Sequence, residues 1–453
     1  MKNSKSTDLT EGPVYRCILI FTLPILASHI FQNLYNSVDS IVVGNYVGKT
    51  ALAAVGASSD ISALLTGFFT GLSTGAGVLF ARYFGAKKYD KLHDSIHTAL
   101  TFSLLIGVAM AILGVIFSPA LLHMVDCPAD VYDEALSYLR IYFIGVLFTA
   151  IYNVGAGVLR AVGDSRRPFI YLVIASVINI ILDLVTVKQL QMGVMGVALA
   201  TIVSQLVSVI LVFRTMLSTD DVYRVRISDL KIDPDMLRDV IRLGIPAAIQ
   251  SSIISLSNLF VQKYLNAFGS GALAGSTAAK KVDRFVGMIG QSIGQATAPY
   301  VSQNIGAKNR KRVTRGLWAV TVISGVCFVV LALIMYSYAE SLIRLFTDDA
   351  EAVGYGIRMM KIMVPFYFIQ SLMQIFANAV RGFGRSAAVM VWYLLGMVGC
   401  RQLFLAVSMH FNHVIDNVFY AFPVGWFFGF LFVAGYYFIY RKQLMEEAFG
   451  PGK

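Results

Sequence analysis

The chain carries little charge: 14% of its 453 residues are Asp, Glu, Lys or Arg, where soluble domains average about 25%. With 57% of the residues hydrophobic, a water-soluble globule is excluded. Cysteine is equally sparse. Cys17, Cys127, Cys327 and Cys400 stand apart without paired spacing, which excludes a disulfide framework and a zinc site. No G-x-x-x-x-G-K-[ST] loop occurs, so ATP hydrolysis by that phosphate cradle is excluded and work has to come from an ion gradient. The histidines show no ligand spacing; His93 and His97, four apart, open a helix at a cytoplasmic end and read as solvated. No nucleophile–base pair or metal cluster supports an enzyme, and no cofactor-binding motif stands out. The first apolar run outlasts a signal peptide and has no small-residue cleavage site, so it reads as a membrane helix.

What the chain has instead is a succession of apolar runs, each near the roughly 20 residues that carry a helix across hydrocarbon. They fall at residues 15–43, 52–81, 93–118, 131–158, 167–187 and 193–215. After a polar linker, Ser218–Asp235, they resume at 238–266, 272–300, 314–338, 352–378, 387–410 and 415–440. The expectation is an all-α polytopic membrane protein of twelve transmembrane helices. Its divisions are an N-lobe at 1–217, a cytoplasmic linker at 218–235 and a C-lobe at 236–453.

The formal charge of +11 is topological and does not point to nucleic acid. One set of loops holds Arg82, Lys87, Lys88 and Lys91, then Arg166 and Arg167, Arg224, Arg226 and Lys231, Lys308 to Arg315, and Arg385. The alternate loops are acidic, with Asp126, Asp130, Asp133, Glu134, Asp348, Asp349 and Glu351. Positive residues stay inside, which places both termini in the cytoplasm and the chain in a cytoplasmic (inner) membrane.

An internal repeat organises the whole. FGAKKYDKL at 84–92 returns as IGAKNRKRV at 305–313, ALAA at Ala51–Ala54 as ALAG at Ala272–Gly275, and VLRAVGDS at 158–165 as AVRGFGRS at 379–386. All three keep one offset (51 to 272, 85 to 306, 160 to 381). Pro24 meets Pro246 one residue off that register. Six helices per half is an even number, so the halves run in the same sense about an axis along the membrane normal. Such repeats place a substrate path, here a central cleft, at their interface.

Ionisable groups inside an apolar span are expensive, about 2.5–3.5 kcal/mol for Asp at a helix centre, and mark function by default. In the first half Asp39, Asp60, Asn153, Asn179, Asp183 and Thr201 lie within spans. Asn179 and Asp183, four apart, share one helix face. Two carboxylates with amide and hydroxyl oxygens suit a hard cation such as Na⁺, or a proton shared between coupled acids. Interhelical hydrogen bonding is the alternative for Asn179 and Thr201. The second half does not copy these groups. Its eighth helix carries Lys280, Lys281, Asp283 and Arg284 in one turn, and Lys281 holds the position equivalent to Asp60. These residues either line the central cleft, with Asp60, or neutralise one another. Arg401 and Gln402 are further candidates in the eleventh helix, and the glycines from Gly67 to Gly77 read as a close helix crossing.

The combination of YNSVDSIVVGNYVG, ALAAVGAS, GAKK, QNIGAKNR and NIILD resembles the multidrug and toxic compound extrusion (MATE) transporters, in particular the prokaryotic DinF-type branch. The resemblance covers nearly the whole chain. It implies two six-helix lobes around a central cleft, and a cation-coupled antiporter exporting amphiphilic drugs by alternating access. It matches Asp39, Asn179, Asp183 and Thr201 to the family's N-lobe cation site, taking H⁺ or Na⁺. It also matches Pro24 to a first-helix hinge. A lipid-linked saccharide flippase, or an exporter of anionic or amphiphilic metabolites, is the alternative on the same architecture. The expected partners are small amphiphilic substrates and the bilayer, with the monomer as the working unit.

Overall fold

A computed structural model describes residues 8–124 and 127–450, apart from the side chains at positions 49, 50, 52, 57, 59 and 60. Asp126 and the Asp60 side chain therefore lie outside the described residues. The fold is helical, with no strand among the described residues. In the first half the helices are α1 (Val14–Tyr46), α2 (Lys49–Gly85), α3 (Tyr89–Met124), α4 (Tyr132–Ala161), α5 (Arg166–Gln189) and α6 (Gly193–Ser218). In the second they are α7 (Pro234–Asn266), α8 (Ser270–Gly306), α9 (Arg310–Ser337), α10 (Ala350–Gly382), α11 (Ser386–Phe411) and α12 (Ile415–Phe449). A short helix, Ala339–Arg344, precedes α10.

Among the described residues 11 helices, α1 to α12 without α8, are long and apolar enough to cross a membrane. The exception carries the charged turn Lys280–Arg284, followed by a stretch rich in Gly, Gln, Ser and Thr. The helices outrun the spans expected from hydropathy. Helix α2 has 37 residues, about 55 Å at 1.5 Å per residue, against about 30 Å of hydrocarbon. Hydropathy registers only the part that meets lipid.

The repeat extends to the backbone. Positive φ recurs at Gly48 (120°) and Gly269 (91°), at Lys87 (56°) and Lys308 (57°), and at Gly163 and Gly384 (88° each). These are the same positions of the two halves. After α4 the Gly163 N–H donates to the Arg160 carbonyl at 3.0 Å, and after α10 the Gly384 N–H donates to that of Arg381 at 2.8 Å. A left-handed residue of this kind ends a helix and turns the chain. An L side chain costs about 1 kcal/mol or more there. Gly384→Ala is therefore expected to lower the thermal unfolding midpoint of the detergent-solubilised protein, and an unshifted midpoint would contradict the assigned turn.

The described chain falls into two compact units, one spanning Ala27–Ala248, the other Leu9–Leu26 with the chain from Ile249 onward. Both divisions come two residues after a proline inside a continuous helix, Pro24 in α1 and Pro246 in α7. Each repeat's first helix thus has its pre-proline part in the unit built by the other repeat. In the second unit Leu9 is fully buried, and the Arg312 guanidinium donates to the carbonyls of Leu9 (3.0 Å), Glu11 (2.5 Å) and Gly12 (2.7 Å). In the first unit the segment leading into α7 is held by α3. The Arg226 N–H donates to His97 Nε2 at 3.0 Å and the Asp233 N–H to Thr98 Oγ1 at 3.1 Å.

Candidate cation site

In the first unit Val42 and Val43 of α1, Tyr138 of α4, Val187 of α5 and Val197 and Ala198 of α6 pack into one buried cluster. Polar groups beside so apolar a cluster interact in a low dielectric, where charges attract and repel strongly. Asp39, one turn before Val43, brings its carboxyl within hydrogen-bonding reach of Asp183. Asn179 and Asp183 are both fully buried on one face of α5. Tyr35 and Tyr138 lie within electrostatic reach of both carboxylates, and Tyr142 is stacked on Tyr138 at 6.2 Å between ring centroids.

The donors and acceptors here do not balance. Asp39 Oδ1, both carboxylate oxygens of Asp183 and both amide atoms of Asn179 are buried with no donor–acceptor partner. Ionised carboxylates are acceptors only, so Asp39 and Asp183 can hydrogen-bond to each other only when one carries a proton. Several buried oxygens without donors equally fit a hard cation, which takes oxygen ligands. Thr201 is one turn beyond Val197; its hydroxyl donates to the Val197 carbonyl at 3.0 Å and keeps its oxygen lone pairs. Directly after Asp183, α5 passes through a π-helical turn, Leu184–Gln189, a feature frequent at functional sites.

The other expected site residues are placed as follows. Asn153 links α4 to α2. Its amide donates to the Thr149 carbonyl at 2.8 Å, its side-chain oxygen accepts from Thr70 at 3.4 Å, and its own carbonyl accepts from Ser73. Pro24 sits in an unbroken α1. In the second unit the Lys280 ammonium donates to Gln262 Oε1 at 2.6 Å, and Asp283 hydrogen-bonds the Tyr367 hydroxyl. Lys281 is exposed over the Phe346 ring, 5.4 Å from its centroid, and Arg284 is exposed. Among the described residues no ion pair within 4.0 Å joins any of these four, so they do not form a self-neutralising salt-bridge cluster.

Sequence reasoning missed Tyr138 and Tyr142, whose i, i+4 spacing on α4 was a legible signal. It also misjudged His97, which is completely buried. The Nδ1 of His97 donates to the His93 carbonyl at 2.7 Å while its Nε2 accepts from Arg226. His93, His97 and Asp229 bring one ligand atom each within 4.8 Å of one another. Both His97 nitrogens are already committed, so this group holds the linker rather than a metal.

The MatE family model matches residues 24–185 and again 246–407, one match per repeat. The chain is 29% identical over 450 residues to the "Probable multidrug resistance protein YoeA" of Bacillus subtilis (strain 168), covering 96% of each. It is 22% identical to the "Multidrug export protein MepA" of Staphylococcus aureus (strain MRSA252), over 89% of this chain and 90% of that protein. Its fold is similar to a crystal structure of MATE in the straight conformation. The TM-score is 0.91 at 21% identity, covering 98% of this chain and 100% of the other.

Proposed function

From the premise that the chain belongs to the MatE family of transporters, and so is no enzyme, we propose an antiporter. It exports amphiphilic drug-like compounds and takes up H⁺ or Na⁺ at Asp39, Asn179 and Asp183, with Thr201 at the edge. The observation that carries this reading is the set of buried oxygens without donors on Asp39, Asn179 and Asp183. A site short of donors is completed by a cation and strained without one. Its occupancy therefore biases any two arrangements of the chain that hold the acids differently. Binding a proton or Na⁺ removes charge from the acid pair, and the two arrangements exchange in relative stability. Access would alternate between the two faces of the membrane. Pro24, two residues before α1 passes from one unit to the other, is the proposed bending point, since proline removes one helical hydrogen bond.

On this reading the protein is a monomer of the cytoplasmic membrane with both termini inside, supported by the basic loops on one side. The lobes follow the repeat, 1–217 and 236–453 about the linker 218–235, with the first turns of α1 and α7 exchanged. Asn153, the Lys280–Arg284 turn and Asp60 are assigned to the substrate path.

The test is efflux of ethidium from proteoliposomes holding the purified protein, with a pH gradient and a Na⁺ gradient imposed separately. Efflux driven by one gradient names the coupling ion. A folded protein that moves ethidium at the same rate with either gradient or none would overturn the antiport.

A further inference from the structure

Among the described residues the second unit holds positive charge inside the fold that no acid meets in an ion pair. Arg401, on α11, is 1% exposed and is the largest fully buried side chain among the described residues. Its guanidinium donates to Asn258 Oδ1 at 3.0 Å and to Ser257 Oγ at 2.5 Å, both neutral groups of α7, and lies 5.9 Å from the Phe422 ring centroid. The Nε–H is buried without an acceptor. Lys280, on α8, is within electrostatic reach of Arg401 and is bonded one turn along the same α7 face, to Gln262. Gln402 completes the patch, donating to the Ser257 hydroxyl at 2.9 Å. Asp283 is also within electrostatic reach of Lys280, but it forms no ion pair with it and is bonded to Tyr367. Lys280 is half-buried, whereas a second buried cation, Arg381, is likewise held by amides alone, Gln250 at 2.8 Å and Asn378 at 2.9 Å. Among the described residues none of the three has a carboxylate within 4.0 Å.

Amide and hydroxyl dipoles soften a buried charge but leave it uncompensated, and a lone buried ion is costly. Two cations that repel each other over one polar helix face keep a place for an anion. An anion there removes the repulsion and supplies the acceptor that the Arg401 Nε–H lacks. The backbone marks the same place: the π-helical turn Leu395–Cys400 ends on the residue before Arg401, as the other π turn begins on the residue after Asp183.

We infer that Lys280 and Arg401, set against Ser257, Asn258 and Gln262 of α7, form an anion-recognition site for the head group of an amphiphile bearing a carboxylate, sulfonate or phosphate. The inference rests on the export reading and adds anionic and zwitterionic amphiphiles to its substrates. The head group comes from a free amphiphile or from an anionic membrane lipid.

Equilibrium binding of radiolabelled taurocholate, a sulfonated amphiphile, to the full chain in phosphatidylcholine nanodiscs tests the site without requiring transport. Ethidium is the cationic comparator. The wild type is expected to bind taurocholate, and Lys280→Gln to weaken that binding about tenfold or more relative to ethidium, the size of one charge-assisted contact. Lys280→Glu should weaken it further. Arg401→Lys, which keeps the charge, should bind more tightly than Arg401→Gln, which keeps only the hydrogen bonding. Displacement of taurocholate when phosphatidylglycerol is added to the nanodisc would uphold the site and name lipid as its occupant. No displacement would uphold it for the free amphiphile. Absence of taurocholate binding by the wild type, or equal binding by folded Lys280→Gln and Lys280→Glu, would overturn it. Failure of the export reading shows separately, as ethidium efflux indifferent to any ion gradient.

Discussion

Asp39→Asn gives a folded, membrane-inserted protein whose gradient-driven efflux falls to the level of empty vesicles. The substitution keeps the shape of the side chain but supplies its own donors and no charge to exchange. One carboxylate, Asp183, is then left with an amide donor in place of a second acid, so an arriving proton or Na⁺ no longer relieves a charged acid pair, and a ligand that two states serve nearly equally shifts neither. Asp183→Asn is expected to do the same from α5. Neither variant should lose stability. Two carboxylates buried side by side repel when both are ionised, and an amide opposite the remaining acid gives it a donor. The thermal midpoint is therefore expected to hold or rise while transport disappears. The contrast is Asn153→Ala, which removes the side-chain bonds to Thr70 and Thr149. It should cost about 1 kcal/mol, the worth of a typical internal hydrogen bond, through stability. Full gradient-driven efflux by Asp39→Asn in proteoliposomes would sink the coupling assignment, and so would a misfolded product in both acid variants.

Much of this was legible in the sequence because membrane rules are strict. Apolar length gives helix number, Lys and Arg give a proposed orientation, and a carboxylate in lipid demands a reason. Helix α8 tested those rules: its run at 272–300 was counted as a span, yet the folded helix is too polar to stand among those apolar enough to cross a membrane. The i, i+4 spacing put Asn179 and Asp183 on one face. That Asp39 on α1 reaches Asp183 on α5 depends on packing over a distance in sequence that no local pattern reports. The same holds for the second unit. Four charged residues in one turn of α8 suggested internal neutralisation or a cleft. In the fold Lys280 turns to Gln262 and Asp283 to Tyr367, while Arg401 joins from α11. Arg381, next to the last residue of α10, turns inward to Gln250. The least legible feature was the division of α1 and α7 just past their prolines. A proline in a helix announces a weak point, but which unit receives the preceding turns is a matter of tertiary contacts.

Those contacts give the largest expected effect on stability, Gly75→Leu. Gly71 and Gly75 lie four apart on α2, where the pre-proline part of α7 crosses in the same unit. A Cβ on Gly71 would stand 2.5 Å from the Ala247 carbonyl oxygen, and one on Gly75 would overlap the Leu243 carbonyl and the Gly244 Cα. From the α7 side, a Cβ on Gly244 would meet Leu72 Cδ1 at 2.6 Å. The obstacle is backbone on backbone, so no rotamer change relieves it and one helix has to move. Close-packed interiors yield little to such insertions. Overpacking costs about 1–3 kcal/mol where side chains can shift, and Gly75→Leu belongs at or beyond the top of that range. The turns from Pro234 to Ala248 lose their seat, and with them the docking of Arg226 and Asp233 on α3. The measurements are the thermal midpoint in detergent and limited proteolysis of residues 219–248. Gly75→Leu should lower the first and open the second. Gly77→Ala, where the nearest atom to an added Cβ is the Gly157 carbonyl oxygen at 3.8 Å, should leave both unchanged. If Gly75→Leu keeps the wild-type midpoint and protection, α2 and α7 do not cross at these glycines, and the exchange of the first turns of α7 loses its physical basis.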